Sequence, residues 1–265
     1  MTAEPDFRGF ALDGATALAL LQWQAEMGAD EPCLDAPLDR YGPEELITPA
    51  AAPAPAPAAD LLARAEALAL AATTLPALAA AQEGFDGIEL RKGARSFCFA
   101  DGHAAARVMV IGEAPGEEED RQGRPFVGRA GQLLDRMFAA IGLSRQAVDA
   151  EHALYIVNVL PWRPPGNRQP QPAEIALMLP FLRRHVELAR PDVLVLMGNT
   201  PCAAALNRQG ILKLRGQWTT GFGLPALPMA HPAYLLRTPL AKREAWADLL
   251  TLAARLDAQP DAAQP

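Results

Sequence analysis

Cysteine is scarce in this 265-residue sequence, which has only Cys33, Cys98 and Cys202, spaced far apart. An odd number of widely separated cysteines argues against a disulfide framework, and the absence of a CxxC pair removes the usual local sign of a zinc or iron–sulfur site. Long apolar runs are also missing, and the first residues lack the basic-then-apolar layout of a secretory signal. We therefore expect a cytoplasmic protein that does not contact a membrane.

Positive charge is in deficit, with 24 basic against 31 acidic residues and a net charge of −7. The deficit lies mainly in the first 100 residues, which carry −9, whereas residues 101–250 carry +3 and the last 15 carry −1. The second region can therefore present a basic face to phosphate groups, although this charge does not require a nucleic-acid partner.

Several sequence fingerprints of nucleotide and protease sites are absent. The first apolar run is not followed by GxGxxG, no GxxxxGK[ST] motif occurs, and neither an HExxH motif nor a Ser-His-Asp spacing is found. The sequence therefore lacks the motifs that would indicate a dinucleotide-binding, P-loop or zinc-protease function.

The N-terminal part of the chain differs in composition from the rest. Residues 15–27 have apolar residues at helical spacing, residues 47–60 form an Ala/Pro tract typical of an exposed linker, and residues 61–81 favour a helix that docks on the core. These segments predict an N-terminal extension over 1–60, a folded domain over 61–258 and a disordered tail over 259–265.

Short β-branched runs alternate with helical segments from residue 107 onward. Continuous apolar runs separated by helices indicate a parallel sheet covered on both faces. The predicted fold class is α/β, a three-layer αβα domain with a central four-stranded parallel sheet. The predicted strands are 107–112, 153–159, 192–198 and 225–231, and the helices between and after them lie near 131–142, 172–189, 200–207 and 240–256.

Each predicted strand ends in a segment that can carry chemistry. The first runs into the loop Gly112–Gly116, the second ends near Asn158, the third ends in Gly198-Asn199-Thr200 and the fourth ends at His231. Ligands of open parallel sheets bind outside the carboxyl ends of the strands, so these segments should line one crevice. Taken singly, a lone histidine or an acidic run is more often structural than functional, and a glycine-rich turn is as often a tight turn as a ligand loop. The position of His231 between an apolar strand and a proline nevertheless favours a functional role.

The ordered motifs of residues 95–250 resemble the uracil-DNA glycosylase superfamily, and the bacterial and archaeal group called family 4 in particular. They include RVMVIGEAPGEEEDRQGRPFVGRAGQLLD, YIVNV, RPPGNRQP, LRG and HPAYLLRTP. The resemblance implies removal of uracil from DNA, with uracil-containing DNA as the partner and a monomeric enzyme.

The resemblance also implies a role for individual residues. Phe126 would stack on the extruded uracil, Asn158 would hydrogen-bond its Watson–Crick edge, and His231 would face O2, where negative charge develops. Glu113 and Ala114 would line the pocket, and Glu119 would lie near the base or sugar. The loop Leu235-Leu236-Arg237 would enter the duplex. Positive charge, apart from the resemblance, makes candidates for contact with the DNA backbone of side chains that are as often ordinary solvated charges: Arg163, Arg168, Lys213, Arg215, Arg237 and Lys242.

Two departures from the family pattern affect the expected chemistry. The family holds an iron–sulfur cluster on four cysteines, and the matching positions here are Phe85, Ile88, Trp162 and Met178. We therefore expect no cluster and no other cofactor. The water-activating residue is left open between Glu119, the first choice, and Glu113, because Ala114 and Gly116 replace the Asp and aromatic residue of better-known members.

The main hypothesis is a monofunctional glycosylase that leaves an abasic site. A subgroup that forms a covalent link through a histidine after the second strand is not matched, since residues 160–168 contain none. Two alternatives remain: a non-catalytic DNA- or partner-binding protein that keeps the fold, and an enzyme acting on free nucleosides or nucleotides.

Overall fold

The computed structural model describes residues 6–7, 10–11, 13–26 and 56–258, in two units divided between Pro53 and Ala54. The first unit contains strands β1 (Asp6–Phe7) and β2 (Phe10–Ala11), which pair antiparallel, and helix α1 (Gly14–Glu26). The side chain of Asp13 accepts a hydrogen bond from the Thr16 amide at 2.7 Å and so satisfies the start of α1. The helix predicted over 15–27 is confirmed within one residue at each end.

The second unit begins with helices α2 (Ala56–Ala71) and α3 (Leu75–Gly84), followed by the short α4 (Leu90–Gly93). The single helix predicted over 61–81 is therefore two helices. They are separated because Thr74 caps α3, its Oγ1 accepting from the Ala77 amide at 3.3 Å, and because Pro76 fits only a first helical turn.

The exposed linker predicted over 47–60 ends earlier than expected, because its last five residues are helical. Residues 56–60 form the first turn of α2, where a proline is tolerated because its missing N–H would have no partner in any case. Residues 47–55 and the predicted tail over 259–265 lie outside the described residues, as does Cys33.

A mixed six-stranded sheet forms the centre of the second unit. Its order is β3-β5-β4-β6-β8-β7. The α/β class is confirmed, but the sheet is not the predicted four-stranded parallel one, since antiparallel strands are added at both edges. The strands are β3 (Asp101–Gly102), β4 (Val108–Gly112), β5 (Leu154–Asn158), β6 (Val193–Met197), β7 (Thr219–Gly221) and β8 (Leu224–Met229).

Alternate residues of the central strands pack into two different hydrophobic clusters, one on each face of the sheet. Met109 and Ile111 belong to the cluster that contains residues of α2 and α3, and Val108 and Val110 belong to the other. This period of two arises because successive side chains of a strand point to opposite faces. Both faces are therefore covered, which explains the continuous apolar runs in the sequence.

The remaining helices connect the strands and cover the sheet. Among the described residues no helix combines the length and apolar character needed to cross a bilayer. The helices are α5 (Glu117–Gln122), α6 (Arg129–Ala139), α7 (Pro172–Ala189), α8 (Asn199–Leu206), α9 (Ile211–Leu214), α10 (Pro232–Arg237) and α11 (Lys242–Asp257), with 3₁₀ turns at Pro165–Asn167 and Pro239–Ala241.

Candidate active site

Three predicted site residues lie close together near Gly112, the last residue of β4, two of them in contact with it. Gly112 is the register partner of Asn158, the last residue of β5. A Cβ atom at Gly112 would lie 2.3 Å from the Phe126 ring and 2.4 Å from Asn158 Oδ1, so both side chains pack directly on its backbone. The ring centroids of Phe126 and His231 are 5.4 Å apart, with 32° between the ring planes. Asn158, Phe126 and His231 therefore lie together at the carboxyl edge of the sheet, and we call the space that they border the crevice.

Asn158 places a polar amide in a buried position without satisfying it. The residue is 7% exposed, and its Oδ1 atom has no hydrogen-bond partner within the described part of the chain. Leaving such an acceptor unpaired costs about 1–3 kcal/mol, so native structures rarely keep one without a reason. A ligand that presents an N–H group at this point would recover that cost.

His231 ends the segment after β8 and caps helix α10. Its Nδ1 accepts a hydrogen bond from the Ala233 amide at 3.1 Å. Burial lowers the pKa of His231 to about 4, helped by the positive charge of Arg237 and opposed by Glu119. The imidazole is therefore neutral near pH 7, and because Nδ1 is an acceptor, the proton is on Nε2, which is left as a donor.

Glu119 joins two loops of the crevice through backbone hydrogen bonds. Its Oε1 accepts from the amides of Val127 and Gly128 at 3.0 and 2.8 Å, and its Oε2 accepts from the Gly116 amide at 3.1 Å. The contact with Gly116 is the side-chain half of a capping box at the start of α5. Glu119 thus fixes the loop after β4 against the loop that carries Phe126.

Glu113 and Ala114 lie half-buried in the loop after β4. Glu113 Oε2 accepts a hydrogen bond from Thr200 Oγ1 at 2.5 Å, and the Glu113 carbonyl accepts from the Leu160 amide at 3.0 Å. Thr200 was not among the predicted site residues. The signal for it in the sequence is its place just after the third predicted strand.

Two of the predicted DNA contacts are not available in this structure. Leu235 is 0% exposed and belongs to a small hydrophobic cluster with Leu133 and Ala245, because α10 turns this side chain toward the core. Arg215 hydrogen-bonds both carboxylate oxygens of the buried Asp248, so its guanidinium holds α11 in place.

The other side chains predicted to contact DNA differ in whether they already pair with neighbouring residues. Arg168 is paired with Glu174 at 2.5 Å, and Arg163 lies 3.7 Å from Glu117 while donating to Asn167 at 2.9 Å. Leu236 is half-buried. Among the residues with described side chains, no ion pair involves the exposed Lys213, Arg237 or Lys242.

Two surface cavities of the second unit lie away from this crevice. One, of about 710 Å³, is bordered by Arg183, Asn207 and Phe222, and another, of about 470 Å³, is bordered by Leu75 and Tyr155. Neither includes Asn158, Phe126 or His231. The candidate site is therefore defined by the side chains that converge on it, with Phe126 packed on Gly112 and beside His231.

The positions that match the family's cluster ligands do not fit an iron–sulfur cluster. All four are apolar, buried and part of a single hydrophobic cluster, and none offers a thiolate or another strong iron ligand. Trp162 lies 5.2 Å from the Phe97 ring, and Met178 Sδ accepts from Gln82 at 3.8 Å. Elsewhere in the described chain no group of three or more His, Cys, Asp or Glu side chains is arranged to hold a metal ion.

Comparison with known proteins identifies the family. Residues 99–250 match the model of the uracil DNA glycosylase superfamily. The chain is 42% identical over 142 residues to the type-4 uracil-DNA glycosylase of Thermotoga maritima, covering 52% of this chain and 70% of that protein. It is 35% identical to the type-4 enzymes of Saccharolobus solfataricus, over 60% of this chain and 76% of that protein, and Archaeoglobus fulgidus, over 59% and 80%. The chain therefore belongs to the uracil DNA glycosylase superfamily.

Proposed function

We propose that this protein removes uracil from DNA by hydrolysing the N-glycosidic bond of deoxyuridine, which leaves an abasic site. The observation that carries the proposal is the buried and unpartnered amide oxygen of Asn158, placed beside an aromatic ring and a neutral histidine. Family membership supports the same reaction class.

Asn158 and Phe126 account for recognition of the base. An amide held in one orientation accepts from N3–H of uracil and donates to O4, a pairing that cytosine cannot match because its donors and acceptors are reversed. A wrong base would leave buried polar groups unpaired, which discriminates strongly. The Phe126 ring supplies a stacking surface that offsets part of the cost of extruding the nucleotide.

His231 accounts for departure of the base. Cleavage gives a uracil anion and a sugar with oxocarbenium character, so a fixed donor at O2 stabilises the transition state more than the ground state. The Ala233 amide fixes the tautomer that leaves Nε2–H as this donor. At any pH above its pKa of about 4, the imidazole is neutral and still donates through Nε2–H.

The two carboxylates of the crevice, Glu113 and Glu119, have different proposed roles. Three backbone N–H groups already occupy Glu119, so we assign it the electrostatic stabilisation of the sugar cation and the alignment of the loops. Glu113 has one oxygen committed to Thr200 and more acceptor capacity left. We therefore favour Glu113 over Glu119 as the residue that activates water.

The crevice also supports a monofunctional reaction. The proposal uses an amide, an aromatic ring, an imidazole and two carboxylates, and none of these is an amine able to form a Schiff base with the sugar. Strand cleavage is therefore not part of the proposed activity. Contacts to the DNA backbone are proposed for Arg163, Lys213 and Arg237, and the enzyme is proposed to act as a monomer.

The deciding experiment is a cleavage assay on single- and double-stranded oligonucleotides that contain one uracil. We expect strand breaks only after alkali, which reveals an abasic site, and none with cytosine or thymine at the same position. Breaks before alkali would contradict the monofunctional reaction. No product from either substrate with excess folded protein would overturn the proposed function and favour a non-catalytic binding protein.

A further inference from the structure

Phe126 has a backbone conformation that an aromatic residue adopts only under constraint. Its φ angle is +54°, in the left-handed region that is uncommon for residues other than glycine and strained for bulky ones. The ring nevertheless has to lie between Gly112 and His231 for the crevice to form. The surrounding structure must therefore hold this peptide in place.

The guanidinium of Arg145 contacts the carbonyl side of this turn. It donates to the carbonyl oxygen of Pro125 at 2.9 Å through Nη1 and to that of Phe126 at 2.8 Å through Nη2. Its Nε donates to Asp135 at 2.8 Å and its Nη1 also donates to Asp101 at 2.9 Å. The Arg145 side chain is only 9% exposed, as is typical of a guanidinium enclosed by its acceptors, whereas Asp101 is 17% and Asp135 46% exposed.

Two further contacts constrain the same turn from other directions. Glu119 accepts from the amides of Val127 and Gly128, as described above, and so holds the amide side of the turn. Gly131 allows the turn to approach helix α6, since a Cβ there would lie 1.8 Å from the Phe126 carbonyl oxygen. The carbonyl side, however, depends on Arg145, which nothing in the sequence motifs had indicated.

We infer that Arg145 is a positioning residue, which sets the plane of the Phe126 ring by clamping the Pro125 and Phe126 carbonyls to Asp101 and Asp135. The inference rests on the proposed function, in which that ring stacks on the base. A planar guanidinium reaches four acceptors in fixed directions, whereas a lysine ammonium is a point charge with three donors. Arg145→Lys therefore keeps the charge and loses the geometry.

A double-mutant cycle with Phe126→Leu separates positioning from a general structural role. We expect Arg145→Lys to lower the single-turnover rate of uracil release about 10- to 100-fold, because small displacements of a site group have effects of this size. In the Phe126→Leu background the same change should cost no more than about 3-fold, since the ring it positions is gone. Binding of free uracil, measured by calorimetry, should weaken in the same pattern.

Arg184→Lys is the matched control. Arg184 also donates to a backbone carbonyl, that of Ala72 at 2.9 Å, and to a carboxylate, that of Glu187 at 2.9 Å, but it lies on α7. We expect it to change uracil release by less than about 2-fold in either background. Equal losses from Arg145→Lys with and without Phe126, or no loss at all, would overturn the inference.

A further measurement is needed if the Arg145→Lys variant does not fold or if the wild-type protein is inactive. If Arg145→Lys does not fold, the same cycle is run with Asp135→Asn, which weakens one of the four hydrogen bonds, and additivity there overturns the inference equally. If the wild-type protein releases no uracil, the proposed function fails, and the cycle on binding of free uracil still decides whether Arg145 acts through Phe126.

Discussion

Asn158 carries the recognition of the base in the proposed reaction, because its amide oxygen is buried and has no hydrogen-bond partner among the described residues. We predict that Asn158→Ala lowers uracil release about 10²- to 10⁴-fold, as expected when a site built to hydrogen-bond a substrate loses that group. The measurement is single-turnover release from a uracil-containing oligonucleotide. Glu117→Ala is the control, since the Glu117 side chain is 81% exposed and has only a loose ion pair with Arg163; comparable losses would refute the assignment.

Glu119 and Glu113 can be told apart by their isosteric amides. In Glu119→Gln an NH₂ group must face a backbone N–H, which leaves buried donors unpaired. We therefore expect activity to be lost and the free energy of unfolding to fall by about 1–3 kcal/mol. In Glu113→Gln the amide oxygen can still accept from Thr200, so activity should fall while stability changes little. Urea unfolding and release assays on both variants test this; a stable Glu119→Gln with normal activity would remove its role.

At the scale of elements, the crevice depends on how closely two strand ends and a loop approach each other. Gly112 permits this approach, and Gly112→Ala should displace Phe126 and Asn158, at a cost of about 1–3 kcal/mol for overpacking and a large loss of activity. Gly84→Ala at the end of α3 is the control, because a Cβ there meets nothing within 4 Å. Thermal unfolding and uracil release measure both, and a Gly112→Ala variant as active as Gly84→Ala would contradict this packing argument.

Helix α10 shows why a motif alone does not place its side chains. The segment HPAYLLR suggested three adjacent residues for contact with the duplex, but a helix rotates successive side chains by about 100° each. Leu235 therefore faces Leu133 and Ala245 in the core, while Arg237 is exposed. Within this segment only the exposed face can reach DNA without rearrangement of the helix.

For the whole molecule, two histidines with lowered pKa values predict a specific pH dependence of stability. Burial lowers the pKa of His185 to about 3 and that of His231 to about 4, against 6.5 as the ordinary value. Below pH 6.5 the unfolded chain takes up protons that the folded chain does not, so stability is full above this pH and is lost on acidification. Each histidine should contribute up to about 1.4 kcal/mol per pH unit between its two pKa values.

Urea unfolding between pH 4.5 and 7.5, conditions chosen to bracket this window, tests the prediction. The slope should become flatter in His185→Gln, which removes one of the two groups. His152→Gln should change the slope in the opposite direction, since Asp149 raises the pKa of this surface histidine. A slope that His185→Gln leaves unchanged would show that the buried imidazole does not control the dependence.

The division of the chain near Pro53 leads to a prediction about its N-terminal part. All residues of the proposed active site lie in the unit that begins at Ala54. We propose that residues 1–53 have no part in catalysis, and we expect a chain lacking them to release uracil at a similar rate. A loss of more than about 10-fold in the rate constant would instead assign the extension to the activity.

The sequence by itself determined the class of fold and most of its elements. Alternating apolar runs and helical segments specified the four central strands and the helices α6, α7, α8 and α11 to within a few residues, because burial on both faces of a sheet imposes that pattern. The edge strands β3 and β7 escaped notice since they have two and three residues and bury little apolar surface. The break between α2 and α3 rests on Thr74 and Pro76, a capping signal inside a continuous Ala/Leu-rich stretch.

Tertiary structure alone decided how the candidate site is built. Sequence order placed Asn158 and His231 at the same edge of a sheet, and the family resemblance added Phe126. Only packing shows that Phe126 and Asn158 contact Gly112, that His231 lies beside the Phe126 ring, and that Glu119 joins two loops. Arg145 lies outside every recognised motif, and its contacts with Pro125, Phe126, Asp101 and Asp135 join segments up to 44 residues apart. Such contacts depend on the three-dimensional path of the chain, which periodicity and local composition do not encode.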